Sequence, residues 1–244
     1  MGVRTTSSFL LYSFFLFAVL ANIVFWAHSH KVFTEWGNVP PPPSKNAATI
    51  WGLGDSEITY RMFGYLLQNM GNTGGNFEPL KKYDYAALEK WFFVAQHLDP
   101  RADYVPFLAA YYFGAVEGQP ERMKHVVNYL AEEGLAQYPN KWRWLVQAVF
   151  LAGHRADDKP RALELANKLA AMPDDMPIWA RQMPAFANMD LGNKQASYEI
   201  MFRILVTEQD KLPPQEINAI KDYICTRTLD RAEAAKNPLC AKDK

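Results

Sequence analysis

The sequence predicts an all-α protein in which an N-terminal transmembrane helix precedes a domain of paired helices. Residues 9–27 form an apolar run without a charged side chain. From residue 55 onward, apolar residues recur every three or four positions, which is the spacing of one helix face. No segment there shows the strict alternation of a half-buried strand. With 244 residues, the chain is long enough for one substantial domain with appendages.

The apolar run at 9–27 has the length of a membrane span. At about 1.5 Å per residue its helix covers about 28 Å, close to the ~30 Å hydrocarbon core of a bilayer. Tyr12 and Trp26 lie near its ends, where aromatic side chains meet the membrane interfaces. A cleaved signal peptide is the alternative, because Ala21 ends an acceptable small-residue cleavage site. The run continues past Ala21 to Trp26, so we predict an uncleaved, single-pass anchor.

Charges near the span do not orient it clearly. Arg4 lies on one side and Lys31 and Lys45 lie on the other, which is nearly a tie by the positive-inside count. The simplest signal-anchor arrangement keeps the short tail, residues 1–8, in the cytoplasm. We therefore predict a membrane protein whose bulk lies on the non-cytoplasmic, periplasmic or equivalent, side.

Residues 28–54 are predicted to be a proline-rich linker. Four consecutive prolines at 40–43 favour a stiff polyproline II segment that spaces the domain from the bilayer. A ligand for a proline-recognition module is the other interpretation of this run.

The predicted helices, which include 102–116 and 177–190, pair with a rough internal period. Prolines 100, 139, 173 and 213 end alternate helices, at spacings of 39, 34 and 40 residues. Small and aromatic residues recur within the pairs, most clearly at Tyr60, Phe63, Gly64, Leu67, Phe92, Ala95 and Leu98, and again at Ala109, Tyr112, Ala131, Gly134, Trp144, Ala148, Ala162 and Ala166.

On these residues the chain resembles the tetratricopeptide-repeat (TPR) superfamily, whose unit is a 34-residue helix-turn-helix. The resemblance implies an α-solenoid of TPR-like helix-turn-helix repeats over residues 55–213, followed by a capping helix and tail at 214–244. Insertions at 71–83 and 114–120 interrupt the period, and a nonrepetitive helical domain is the alternative.

Domains of this superfamily usually hold a segment of a partner protein in a groove, so the resemblance implies a binding scaffold without catalytic chemistry of its own. Large aromatic and arginine side chains dominate the energetics of such interfaces. We expect at least half of the candidates to be buried within the repeats and Arg143, between two tryptophans, to be exposed. The expected partner is a subunit of a membrane complex. The candidate partner-binding residues are Tyr104, Tyr111, Tyr112, Trp142, Arg143, Trp144, Trp179 and Arg181.

Signatures of common enzyme classes are absent from the sequence, which contains no GxSxG, HExxH or Walker loop. The glycine-rich stretch 71–75 is interpreted as a helix C-cap and loop. His97, His125 and His154 are far apart in the sequence, and we predict no metal, no cofactor and no catalytic residue. The alternative is a cell-envelope enzyme whose site gathers these histidines with scattered carboxylates.

The charged residues indicate solvated surfaces. Asp99, Arg101 and Asp103 crowd one turn, where they are interpreted as helix caps and solvated side chains. Basic and acidic residues number 26 each, which argues against a nucleic-acid partner.

Cys225 and Cys240 lie on either side of the end of the last predicted helix and the turn at Asn237 and Pro238. If the domain is exported, we predict a disulfide that fastens the C-terminal tail to that helix; if it is cytosolic, both are free thiols. A third hypothesis, a structural subunit whose span packs against other spans, depends on Asn22 as a hydrogen-bonding residue within the membrane.

Overall fold

The computed structural model describes residues 3–29, 38–73, 76–172 and 176–241. It divides into two compact units, Met1–Gly37 and Asn38–Lys244. Within the described residues the chain is helical apart from one pair of two-residue strands, which confirms the all-α prediction.

The first unit contains one helix, α1 (Val3–Ser29). Its segment Phe9–Ser29 is long and apolar enough to cross a membrane, a test that a signal sequence also meets. The described apolar side chains of this segment are largely exposed. Asn22 donates from Nδ2 to the carbonyl oxygen of Ala18 at 2.9 Å, so its amide has a partner within its own helix.

The second unit begins at Asn38, within the range 28–54 that the sequence predicts as a linker. Val39 is buried, and the indole Nε1 of Trp91 donates to the carbonyl oxygen of Pro40 at 2.7 Å. Because this backbone oxygen is bonded by a side chain of the domain, the start of the proline run lies against the domain.

Some of the sequence predictions fall outside the described residues. These are the start of the tail at 1–2, the part of the predicted linker at 30–37 with Lys31, the glycines at 74–75, Pro173, and the end of the tail at 242–244.

Acidic side chains begin several helices of the domain. The carboxylate of Asp55 accepts hydrogen bonds from the backbone N–H groups of Glu57 and Ile58. Asp84 and Asp158 cap later helices in the same way. Such caps satisfy backbone donors that have no partner within the helix.

The helices after α2 (Lys45–Trp51) are α3 (Ser56–Asn69), α4 (Tyr85–Leu98), α5 (Tyr104–Phe107), α6 (Pro120–Gly134), α7 (Trp142–His154), α8 (Lys159–Ala170), α9 (Ile178–Arg181), α10 (Met183–Asp190), α11 (Lys194–Glu208), α12 (Pro214–Tyr223) and α13 (Arg231–Lys236).

Three local details differ from the sequence predictions. β1 (Asn72–Thr73), which begins within the glycine-rich stretch, pairs antiparallel with β2 (Asn76–Phe77). The helix predicted over 102–116 is α5 followed by a π-helical segment, Leu108–Phe113. The helix predicted over 177–190 is divided into α9 and α10, where Pro184 lies in the first turn of α10, a position in which its missing N–H costs no hydrogen bond.

Helices that follow one another along the chain pack together, most extensively α6 with α7 and α7 with α8. Helices two apart also meet, as α4 does with α6 and α8 with α10. Gly134 allows the closest approach, because a β-carbon there would overlap the backbone of Leu145. The large core formed in this way contains Phe63, Phe92, Phe113 and Tyr129, all fully buried.

A second, smaller core lies at the C-terminal end. It joins Ala185 of α10 to Met201 and Leu205 of α11 and to Ile220 of α12. α12 continues as a π-helical segment, Ile224–Thr228, and α13 follows that segment along the chain.

The C-terminal tail is fastened to this core by a disulfide between Cys225 and Cys240, whose Cα atoms are 5.6 Å apart. Cys225 lies in the π-helical segment and Cys240 lies in the last helical turn described.

Candidate partner-binding groove

An open groove lies on the domain between α5, α7 and α9. It has a volume of about 560 Å³, which falls within the roughly 300–1,000 Å³ of typical ligand pockets. We call it the aromatic groove. Five of the eight predicted partner-binding residues, Tyr111, Trp142, Arg143, Trp144 and Trp179, line it together with Asp103, Phe107, Val146 and Gln147.

Aromatic rings form the walls of the groove. Phe107 and Tyr111 lie one helical turn apart with ring centroids separated by 5.0 Å. Between α7 and α9, the rings of Trp142 and Trp179 meet edge to face at 5.8 Å. Tyr111 is 52% exposed and Trp179 is 44% exposed, so both offer a large apolar surface that the domain itself does not cover.

Asp103 organises the polar contacts of the groove. Its Oδ1 accepts hydrogen bonds from the indole of Trp144 at 2.8 Å and from Nζ of Lys141 at 3.1 Å. Its Oδ2 lies 3.5 Å from the guanidinium of Arg143. Two cations and one indole therefore share a single carboxylate.

Beneath the groove lies an ion pair that is closed to water. Lys141 and Glu133 are each 1% exposed, and Nζ of Lys141 donates to Oε1 of Glu133 at 2.5 Å. Lys141 also donates to the carbonyl oxygen of Ala102 at 2.8 Å. Burial raises the pKa of Glu133, and the neighbouring Lys141 opposes that rise. The lysine thus connects a buried carboxylate to Asp103 at the surface.

The expectation that at least half of the eight candidates are buried is wrong, because Trp144 alone is buried and the other seven are exposed or half-buried. Arg143 is exposed, as expected, with 53% of its side chain accessible. Trp144 is buried, and its indole hydrogen bond to Asp103 makes it part of the floor. It stabilises the groove and offers a partner little surface.

Three predicted residues lie outside the groove. The hydroxyl of Tyr104 donates to Gln68 at 2.7 Å, beside α3. Tyr112 is half-buried and its ring packs on Phe113 at 5.0 Å. Arg181 forms an ion pair with Glu208 at 3.2 Å, which joins α9 to α11.

Two residues that shape the groove were not among the sequence candidates. Phe107 precedes Tyr111 by four positions, so helical spacing could have placed the two on one face. Asp103 was interpreted as a cap or a solvated side chain, but its side chain makes no capping hydrogen bond to α5. Its bonds go to residues about 40 positions further along the chain, which no local pattern reveals.

The histidines that an enzyme site would gather make separate contacts. His125 lies 2.5 Å from a carboxylate oxygen of Glu89, and the ring of His154 packs on Phe150. His97 is exposed at the end of α4. Over the described ranges, histidine, cysteine and acidic side chains form no group of three that could hold a metal ion.

No family model, no curated protein and no solved structure matches this chain.

Proposed function

We propose that this protein is a membrane-anchored helical-repeat scaffold that binds a segment of a partner protein in the aromatic groove. In this proposal α1 is an uncleaved single-pass anchor, and the protein serves as an accessory or assembly subunit of a membrane complex. The observation that carries the proposal is the convergence of exposed aromatic rings, from helices far apart in the sequence, on one groove.

A TPR-like arrangement of the helices is part of the proposal. The groove is lined by α5, α7 and α9, which alternate along the chain with α6 and α8. In a solenoid of helix pairs, the first helices of successive pairs share one face. Contacts between helices two apart, such as α4 with α6, support this arrangement.

The charges of the groove indicate what kind of segment it accepts. Asp103 is balanced by Arg143 at the surface, and Lys141 is balanced by Glu133 beneath it. The groove therefore has no net charge with which to attract a strongly acidic or basic peptide. Its exposed lining is mainly aromatic, so we propose an apolar segment of a partner protein as its occupant.

The disulfide supports the proposed location of the domain on the non-cytoplasmic side. Disulfides persist in oxidising compartments and are rare in the cytosol. A bond between Cys225 and Cys240 therefore favours export of everything that follows α1.

Site-specific photo-crosslinking from the groove tests the binding proposal. A photoreactive phenylalanine analogue replaces Tyr111 in the full-length chain in native membranes, and a matched chain carries it at Phe202, which is 39% exposed on α11. We expect one partner to be crosslinked from position 111 and not from 202, through an apolar segment. Trp179→Ala should reduce that product at least several-fold.

Equal crosslinking from both positions, or a product unchanged by Trp179→Ala, would contradict binding in the groove. Circular dichroism of the Trp179→Ala chain provides the folding control. Because Trp144 is buried, it is a poor choice for this test, since its replacement would disturb the floor of the groove.

A further inference from the structure

Exposed apolar side chains lie where the chain passes from α2 into α3. We call this segment, the last two residues of α2 and the four that follow them, the turn 50–55. Leu53 is 98% exposed and Ile50 is 71% exposed. Trp51, which lies between them, and Ile58, in the first turn of α3, are each about half exposed. A group of exposed apolar side chains of this kind marks a surface that contacts a membrane or another protein.

Leu53 has a backbone conformation that leucine rarely adopts. Its φ is 55°, in the left-handed region that glycine and asparagine enter more easily. A strained residue normally gains something in the fold that offsets the strain. The side chain of Leu53 is almost wholly exposed, so packing within the domain supplies no such gain.

The backbone of the turn is already hydrogen-bonded. The N–H of Leu53 donates to Ile50, that of Gly54 to Thr49 and that of Asp55 to Gly52, at 2.9, 3.2 and 2.9 Å. An irregular backbone segment can approach the hydrocarbon region of a membrane only when such groups have partners. These three N–H groups meet that requirement.

The covalent chain sets an upper limit on the distance between the end of α1 and the start of the domain. Residues 30–37 separate the two, and an extended chain spans at most about 3.6 Å per residue, which allows about 30 Å. A short series of contacts then connects Pro40 to the turn. The indole of Trp91 binds the Pro40 carbonyl, and the ring of Phe63 contacts both Trp91, at 4.9 Å, and Trp51, at 5.6 Å.

We infer that the turn 50–55 is a second membrane contact, which inserts Ile50, Trp51 and Leu53 into the interface of the bilayer crossed by α1. The inference rests on the proposed membrane anchoring. A lipid surface is the occupant that the short tether favours, because in every copy of the anchored chain the domain begins no more than about 30 Å from the end of α1. Tryptophan at the rim of the turn suits the membrane interface, where its ring is apolar and its N–H meets water.

Fluorescence depth measurement tests this inference on the full-length chain in phosphatidylcholine vesicles. Leu53→Cys is labelled with the environment-sensitive dye NBD, and the matched control is Leu135→Cys, at another exposed leucine. The native cysteines are joined to each other, so the introduced thiol is the one labelled. We expect blue-shifted emission at position 53 and several-fold stronger quenching by doxyl-labelled phosphatidylcholine there than at position 135.

Three results would overturn the inference. If the chains float with the vesicles but the dye emits as it does in water at both positions, the anchor is supported and the second contact is wrong. Blue-shifted emission at 53 without quenching by doxyl lipid indicates that protein, such as a second copy, covers the turn. Chains that fail to float with the vesicles overturn the proposed anchoring, and the second contact with it.

Discussion

Asp103 and Lys141 show how single residues set the properties of the groove. Asp103 accepts from Lys141 and Trp144 and pairs with Arg143. Lys141 in turn neutralises Glu133, which no solvent reaches. The exposed aromatic rings therefore lie above a polar network whose charges balance. Two predictions concern this network.

The first prediction is that Lys141→Met destabilises the domain severely. Removing one member of a buried ion pair typically costs about 3–5 kcal/mol, because it leaves the other charge buried without a partner. Urea unfolding of the full-length chain in detergent, followed by tryptophan fluorescence, measures the loss. The matched control is Lys141→Met with Glu133→Leu, which should recover most of the stability; a double variant as unstable as the single one would contradict this account.

The second prediction concerns pH. Burial raises the pKa of Glu133 in the folded chain, so the folded state takes up a proton more readily than the unfolded one. The stability that this group contributes is present below its unfolded pKa and is lost as pH rises through its folded pKa. Between pH 7 and about 4.5, the unfolding free energy of the native chain should therefore rise relative to that of Glu133→Gln as pH falls. The opposite slope would mean that Lys141 lowers the pKa of Glu133 by more than burial raises it.

At the scale of the elements, the contact between α6 and α7 determines how the groove is built. α6 ends at Gly134, which lies against the backbone of Leu145. α7 carries Trp142, Arg143 and Trp144 on its first turn. The position of α7 on α6 therefore sets where these three side chains lie.

The third prediction is that glycines at two helix contacts respond to alanine in opposite directions. Gly134→Ala should destabilise the domain by about 1–3 kcal/mol, because the added methyl group overlaps Leu145 and forces the helices apart. Gly153→Ala on α7 places its methyl group 3.5 Å from Ala162, an ordinary contact, and should stabilise the helix by up to about 1 kcal/mol. Thermal unfolding of both variants measures the difference; equal effects would contradict the close approach at Gly134.

At the scale of the whole molecule, the domain has two cores of unequal size. The larger one is built by helices from α2 to α10 and contains the floor of the groove, and the smaller one joins α10, α11 and α12. The disulfide fastens the tail to the smaller core. The groove and the disulfide therefore depend on different parts of the hydrophobic interior.

The fourth prediction is that loss of the disulfide loosens the C-terminal core first. Cys225→Ser with Cys240→Ser should lower the unfolding free energy by about 3 kcal/mol, the chain-entropy effect of opening a loop of this length. Hydrogen exchange should accelerate in α11 and α12 well before it does in α6 and α7. Uniform acceleration throughout the domain would show instead that the two cores unfold as one.

Much of the architecture followed from local patterns in the sequence. The apolar run at 9–27 has the length and composition of a span, and the 3.6-residue periodicity located the long helices, because both properties are carried by neighbouring residues. Local spacing could not show that the proline run lies against Trp91, because that contact joins residues 51 positions apart.

The groove, too, could be predicted only in those properties that depend on local sequence. Residue type alone indicated which aromatic and arginine side chains suit an interface, and the sequence by itself determined the helices that carry them. Only the tertiary structure decided that Trp179 is exposed while Trp144 is buried, and that Asp103 is the acceptor on which the polar contacts converge. The physical reason is distance along the chain: exposure and hydrogen-bond partners depend on how α5, α7 and α9 pack, and those contacts join residues about 40 positions apart.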